Sequence, residues 1–142
     1  MWKSTSKPAG FSLVEAIVSI IIIGIGLMAV AQFFPFSLQI IGDAQRLSTA
    51  SNLALSQIEE LQSLSYEEIT AGTLEAKHRL ADDSTSYLYH YQRETAVTYV
   101  DSDLNPSGTD IGLKKITVTV YWQALIGHTE KSISITSLAS QF

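Results

Sequence analysis

The sequence predicts an α+β fold of lollipop shape, with one long N-terminal helix packed on an antiparallel sheet of three or four strands. Three patterns support this prediction: an uncharged apolar run, then apolar residues at helical spacing, then a period that shortens towards two from about Thr73. The expected segments are a leader over 1–10, a transmembrane half-helix over 11–42, an amphipathic half-helix over 43–65 and a β domain over 66–142.

Composition narrows the possible functions. The 142 residues leave room for about one domain, and the charged fraction of 16% is below the roughly 25% of soluble domains. The absence of cysteine excludes disulfides, thiolate metal sites and a cysteine nucleophile. The net charge of -5 argues against general nucleic-acid binding, which needs a basic surface.

The apolar run is long enough to cross a membrane. From Phe11 to Phe36 it has about 26 residues, or about 39 Å of helix, against a hydrocarbon core of about 30 Å. Lys3 and Lys7 precede it, so the positive-inside rule predicts a single-pass protein of the inner (cytoplasmic) membrane with its C-terminal part outside the cytoplasm. Pro35 predicts a bend or local melting near residues 31–35.

The second half of the predicted helix is amphipathic and is expected to run without a break to about Leu64. Its apolar stripe steps by three and four residues and consists of Ile40, Ala44, Leu47, Ser51, Ala54, Ile58 and Leu61, widened by Leu53, Leu55 and Leu64.

Alternation with period two predicts half-buried strands. The segments are Ser86–Gln92, a further strand around Ala96–Val100, Lys115–Gln123 and Ser132–Thr136, with Leu74–Leu80 as an uncertain edge. In the first of them Tyr87, Tyr89 and Tyr91 would share one face. Packing against the helix or across the sheet explains that face better than base stacking does.

The junction between leader and helix carries a distinctive motif. Gly10-Phe11-Ser12-Leu13-Val14-Glu15 follows a short basic leader and opens the long apolar run. This combination resembles the type III signal sequence of type IV pilins and of type II secretion pseudopilins. The overall plan and the strand Lys115–Trp122 with a turn and a last strand look most like minor pilins and minor pseudopilins.

The resemblance implies a set of roles and partners. Prepilin peptidase would cleave between Gly10 and Phe11 and methylate the new Phe11 amine, and Glu15 would neutralise the Phe11 amine of a neighbouring subunit during assembly. The partners would be that peptidase, a polytopic platform protein of the membrane and other pilin-like subunits, in a surface or periplasmic filament. Loss of the leader would lower the basic count from 9 to 7 and leave a side-chain charge of -7.

Glu15 has a second interpretation that needs no partner. Ser12-Leu13-Val14-Glu15 fits a capping box, in which Glu15 bonds back to the Ser12 amide at the start of the helix. The two roles are compatible, with capping in the free subunit and pairing in the assembly.

Two rival interpretations of the N-terminus stay open. Ala29-Val30-Ala31 matches the end of an ordinary secretory signal, which would release a soluble protein starting at Gln32. Alternatively, the chain is an uncleaved single-pass anchor that displays a small β-rich binding module. Neither rival explains why Gly10 and Glu15 stand at their present spacing.

Other candidate sites have less support. Asp101, Asp103, Asn105, Ser107 and Asp110 place oxygen ligands as in a calcium loop, but Pro106 replaces the turning glycine of an EF-hand, so a solvated acidic loop is expected. The histidines, which are His78, His90 and His128, show no metal-ligand spacing. The sequence therefore predicts no enzyme, no catalytic residue, no metal and no cofactor.

Overall fold

The computed structural model describes residues 10–125 and 127–141. Its elements follow one another as α1 (Leu13–Gln62), β1 (Gly72–Arg79), a 3₁₀ helix (Tyr87–His90), β2 (Tyr91–Tyr99), β3 (Leu113–Gln123) and β4 (Glu130–Ser140). The strands form one antiparallel sheet of four in the order β1-β2-β3-β4. This confirms the predicted fold class of a long N-terminal helix on a small antiparallel sheet.

The chain divides into two compact units, one ending at Leu38 and one beginning at Gln39. In the first unit α1 is a single helix whose large apolar side chains are all exposed. The helix continues through Pro35, so the predicted local melting is wrong, whereas the alternative of a bend near residues 31–35 stays a prediction. Proline removes only its own hydrogen bond to the carbonyl four residues earlier, and the turns on either side keep theirs.

The second unit has a core between the C-terminal part of α1 and one face of the sheet. The helix contributes Ala50 and Ala54, each 0% exposed, together with Ile58 and Leu61. The sheet contributes alternate residues of β3, and the fully buried ones are Ile116, Val118 and Val120. Two alanines on the helix let its backbone approach the β-branched residues closely, so this contact is tightly packed.

The predicted apolar stripe is correct only in its second half. Ala54, Ile58 and Leu61 are buried, whereas Ile40 and Leu47 remain about half exposed, and Ala44 is exposed as well. In this first part of the stripe, the face of α1 that contacts the rest of the second unit carries polar groups. This is because it meets the turn between β3 and β4 rather than the apolar centre of the sheet.

The strand boundaries differ from the prediction in one important place. Tyr87 and Tyr89 lie in the 3₁₀ helix, and β2 starts only at Tyr91, which is buried. The predicted tyrosine face is therefore wrong. The Ser86 hydroxyl accepts a hydrogen bond from the Leu88 N–H at 3.3 Å, and such local bonds compete with strand formation. The edge strand β1 is confirmed, and β4 is longer than predicted.

Candidate functional site

Gly10 and Phe11 lie immediately before the first helical turn. The Ala16 N–H donates to the Ser12 carbonyl at 3.1 Å, which makes Ser12 the residue that begins the helical hydrogen bonding. A side chain at Gly10 would meet no atom within 4 Å of the described chain, and the Phe11 side chain is 79% exposed. The peptide bond between them is thus open to solvent on the described side. Lys3 and Lys7 of the predicted leader lie outside the described residues.

Glu15 occupies the first turn of α1 and is exposed. Over residues 10–125 and 127–141 its carboxylate has no hydrogen bond or ion pair, and the Ser12–Glu15 capping bonds are not formed; only its carbonyl is used, as acceptor for the Ser19 hydroxyl at 2.8 Å. The capping box predicted from the sequence is therefore not found. The structure leaves an unpaired carboxylate at the head of an apolar helix.

The helix beyond Glu15 is a continuous apolar surface. Its large side chains from Ile17 to Leu38 are between 48% and 70% exposed, and no charged residue occurs between Glu15 and Asp43. By length and composition this helix is able to cross a membrane. An exposed area of this extent in water would be unfavourable, so lipid or other apolar helices must cover it.

One family model matches the start of the chain. The family described as the prokaryotic N-terminal methylation motif matches residues 5–31, which contain Gly10, Phe11 and Glu15. No curated protein and no solved structure matches the chain significantly.

An exposed apolar helix that carries this motif at its head defines the signature of type IV pilins and pseudopilins. The match over these residues supports a type IV pilin-like or pseudopilin protein, and that class is structural rather than enzymatic. The motif implies processing by prepilin peptidase and association with other pilin subunits.

The acidic loop, residues 101–110, uses its carboxylates to hold its own backbone. Asp101 accepts hydrogen bonds from the N–H groups of Asp103 and Asn105, at 3.0 and 2.8 Å. Asp110 accepts from the Gly112 N–H at 2.8 Å and from the Tyr66 hydroxyl. These bonds explain the spacing that resembles a calcium loop, and the described residues contain no group of three or more histidine, aspartate or glutamate side chains able to hold a metal.

The three histidines lie in three different elements. His78 contacts Glu75 at 3.2 Å, His90 ends the 3₁₀ helix, and His128 lies in the turn between β3 and β4. His90 and His128 line one cavity at the same end of the sheet domain, and His78 does not line it. Among the described residues the three do not belong to a group able to hold a metal ion.

The sequence interpretation missed two residues that connect α1 to the sheet. Asp43 accepts from the Leu125 N–H at 3.1 Å and pairs with Lys131 at 3.0 Å. Arg46 donates to the Gln123 carbonyl. Both residues fall outside the apolar stripe that the sequence predicts for this helix. The sequence signal that could have found them is their spacing of three residues, which puts them on one face with the buried Ala50 and Ala54.

Acid is expected to weaken the connection made by Asp43. The Leu125 N–H and the Lys131 ammonium hold the pKa of the Asp43 carboxyl below its usual range. A carboxyl with a lowered folded-state pKa stabilises the fold above its unfolded pKa of about 3.9, and that stabilisation is lost as the pH falls through the folded value.

We therefore expect Asp43→Asn to show a smaller loss of unfolding free energy between pH 7 and pH 3 than the unaltered chain, measured by urea unfolding of the detergent-solubilised protein. Asp82→Asn is the matched control, because Asp82 is exposed and has no side-chain bond in the part of the chain that the structure describes. Equal acid losses in all three proteins would contradict the role of Asp43.

Proposed function

We propose that the chain is a minor pilin or minor pseudopilin, a structural subunit of a type IV pilus or of a type II secretion pseudopilus. One observation carries the proposal: the methylation motif at residues 5–31 heads an exposed apolar segment whose one carboxylate, Glu15, has no partner among the described residues. A simple membrane anchor needs the apolar helix but has no use for that carboxylate, because a carboxylate in a spanning helix is costly, by about 2.5 to 3.5 kcal/mol when it lies at the bilayer centre.

Before assembly the subunit is a single-pass protein of the inner membrane with its sheet domain outside the cytoplasm. The positions of Lys3 and Lys7 support this orientation by the positive-inside rule. Prepilin peptidase removes residues 1–10 and methylates the Phe11 amine. The lack of a side chain at Gly10 and the exposed setting of Phe11 support cleavage at this bond.

In the filament, Glu15 pairs with the Phe11 amine of a neighbouring subunit. Opposite charges 4 Å apart attract by up to about 4 kcal/mol at an effective dielectric constant of 20. That gain offsets the cost of holding the carboxylate in an apolar setting. Because Glu15 has no partner within the described chain, it is free to make this pair.

The apolar helices leave lipid and pack together in the filament, and the energy for extraction comes from other components. A polytopic platform protein and further pilin-like subunits are the expected partners. Head-to-tail contacts that do not close on themselves generate such filaments.

Recovery from sheared filaments tests the proposal. We expect the tagged full-length chain, expressed in a bacterium with a pilus or pseudopilus system, to sediment with sheared filaments. Deletion of the prepilin peptidase should leave it entirely in the membrane fraction. Retention in the membrane whether or not the peptidase is present would instead support an uncleaved anchor that displays a binding module.

A further inference from the structure

Two neighbouring cavities lie at one end of the sheet domain, with volumes of ≈ 280 and ≈ 390 Å³. They share Arg46, His90 and Leu125, so together they form one elongated groove between α1, the 3₁₀ helix and the turn between β3 and β4. We call it the arginine groove and define it by Arg46, Arg79, Tyr89, His90 and Leu125. Two adjoining cavities of this volume suit a segment of polypeptide better than a compact ion.

The groove presents two guanidinium groups without a carboxylate partner. Arg79 lies over the Tyr89 ring, 4.2 Å from its centroid, and Arg46 is fixed by its bond to the Gln123 carbonyl. Neither forms an ion pair within residues 10–125 and 127–141. Stacking on an aromatic ring leaves the edge of a guanidinium free to bind a carboxylate through two N–H groups.

The nearby acidic groups are already compensated by lysines. Glu130, which lines the groove, pairs with Lys77 at 2.7 Å, and Asp43 pairs with Lys131 at 3.0 Å. Asp43 also has an electrostatic attraction to Arg46, but its hydrogen bonds are with Leu125 and Lys131. The groove is thus a local excess of positive charge on a chain whose net charge is -5.

The acidic loop lies at the opposite end of the same domain. Tyr91 pairs with Trp122 where β2 begins, and Tyr99 pairs with Lys114 where β2 ends. Tyr89 and His90 come just before Tyr91 in the chain, and Leu125 comes just after Trp122, so the groove lies at the start of β2. The acidic loop begins just after Tyr99, at the end of β2. The 9 residues of β2, roughly 30 Å, therefore separate the groove from the loop. A chain therefore cannot fill its own groove with its own loop.

The loop has the chemistry that the groove would take. Asp101 and Asp110 are tied into the loop backbone, but the Asp103 carboxylate has no partner among the described residues. Beside it Leu104 is 49% exposed and held at a φ of 64°. An acidic side chain next to an apolar one matches a groove that combines arginines with Tyr89 and Leu125.

We propose that the arginine groove binds the acidic loop of a second copy of this chain, with Asp103 against Arg79. A contact between opposite ends of identical domains is heterologous, and such contacts repeat in an open series. The proposal rests on the filament function proposed above and adds to it a docking site on the sheet domain, apart from the apolar helix.

Disulfide trapping tests the contact, because the chain has no cysteine of its own. Two differently tagged full-length copies, one Gln45→Cys in the groove wall and one Ser102→Cys in the loop, are mixed at high concentration in detergent and oxidised. We expect the mixed disulfide to exceed that of the control pair Asn52→Cys with Ser102→Cys by about two- to fivefold, the ratio that an exposed ion pair of ordinary strength provides. Equal yields would overturn the proposal.

A charge swap tests the pairing of the two named side chains. Arg79→Glu in the groove copy, or Asp103→Lys in the loop copy, should each reduce the mixed disulfide to the control yield, and the two together should restore it. High salt should lower the yield of the unaltered pair, since exposed charges are screened. Failure of the double variant to recover while each single variant keeps its sheet structure by circular dichroism would contradict this pairing.

The same samples separate the possible failures. Trapping in detergent needs neither leader removal nor a filament, so an uncut leader would contradict the proposed function while the groove is still tested. Cleaved, filament-incorporated chains without the mixed disulfide would overturn the docking site alone. If a short single-stranded DNA oligonucleotide bound the solubilised protein in an Arg79-dependent way and no mixed disulfide formed, the groove would be a phosphate site and the proposal would be wrong.

Discussion

Replacing Glu15 with alanine is expected to lower recovery of the protein in sheared filaments by at least about tenfold. A third of the roughly 4 kcal/mol available to the ion pair with a neighbouring Phe11 amine already corresponds to a factor of ten. Membrane insertion should be unaffected, since the change removes the only charged side chain of the apolar segment 11–42. The measurement is the ratio of filament-bound to membrane-bound protein.

Two variants control for effects unrelated to pairing. Glu15→Gln keeps the size of the side chain but not its charge, so it should show the same defect as alanine. Glu59→Ala removes an exposed carboxylate from the part of the same helix that belongs to the second unit, and this variant should be incorporated normally. Normal incorporation of Glu15→Ala, or an equal defect in Glu59→Ala, would refute the pairing role.

Replacing Ile116 with alanine is expected to give the largest loss of stability in the sheet domain. Ile116 is 0% exposed and packs in the cluster formed by α1 and β3. Truncation of a buried isoleucine to alanine costs about 2 to 5 kcal/mol, because apolar contact is lost and a cavity remains. Urea unfolding of the full chain in detergent, followed by circular dichroism, measures the difference.

Ile116→Val keeps the measurement informative if the alanine variant does not fold, and it should cost about 0.5 to 1.5 kcal/mol. The matched control is Ile111→Ala, since Ile111 is 47% exposed and its truncation should change stability by no more than about 0.5 kcal/mol. A similar effect at positions 111 and 116 would show that the helix-to-sheet core is not where the stability of this domain resides.

The fold class could be predicted from the spacing of apolar residues because two patterns in the sequence are strong. The apolar run and the β-branched alternation of β3 and β4 leave few alternative structures. The prediction of a strand that begins at Ser86 is wrong because the alternating tyrosines do not reveal what the Ser86 hydroxyl does. Its hydrogen bond from the Leu88 N–H favours a 3₁₀ turn. Local side-chain bonds of this kind do not appear in a hydropathy pattern.

The residues of the candidate site could be predicted from the sequence, but the contacts that surround them could not. The spacing of Gly10, Phe11 and Glu15 identifies the motif, and the family match at residues 5–31 covers all three. The roles of Asp43 and Arg46 depend on which part of the sheet domain lies opposite them, and a helical wheel contains no such information. The arginine groove joins residues that are far apart in the chain, so only the folded domain shows it.

The N-terminus of the protein isolated from cells provides the most direct test of the filament function. Mass spectrometry of the N-terminal peptide should find a chain that begins at Phe11 with a methylated amine. An intact start at Met1 in every molecule, with none in filaments, would contradict the account and favour the uncleaved anchor. A start at Gln32 would contradict it equally, because that product would have lost both Glu15 and most of the apolar helix.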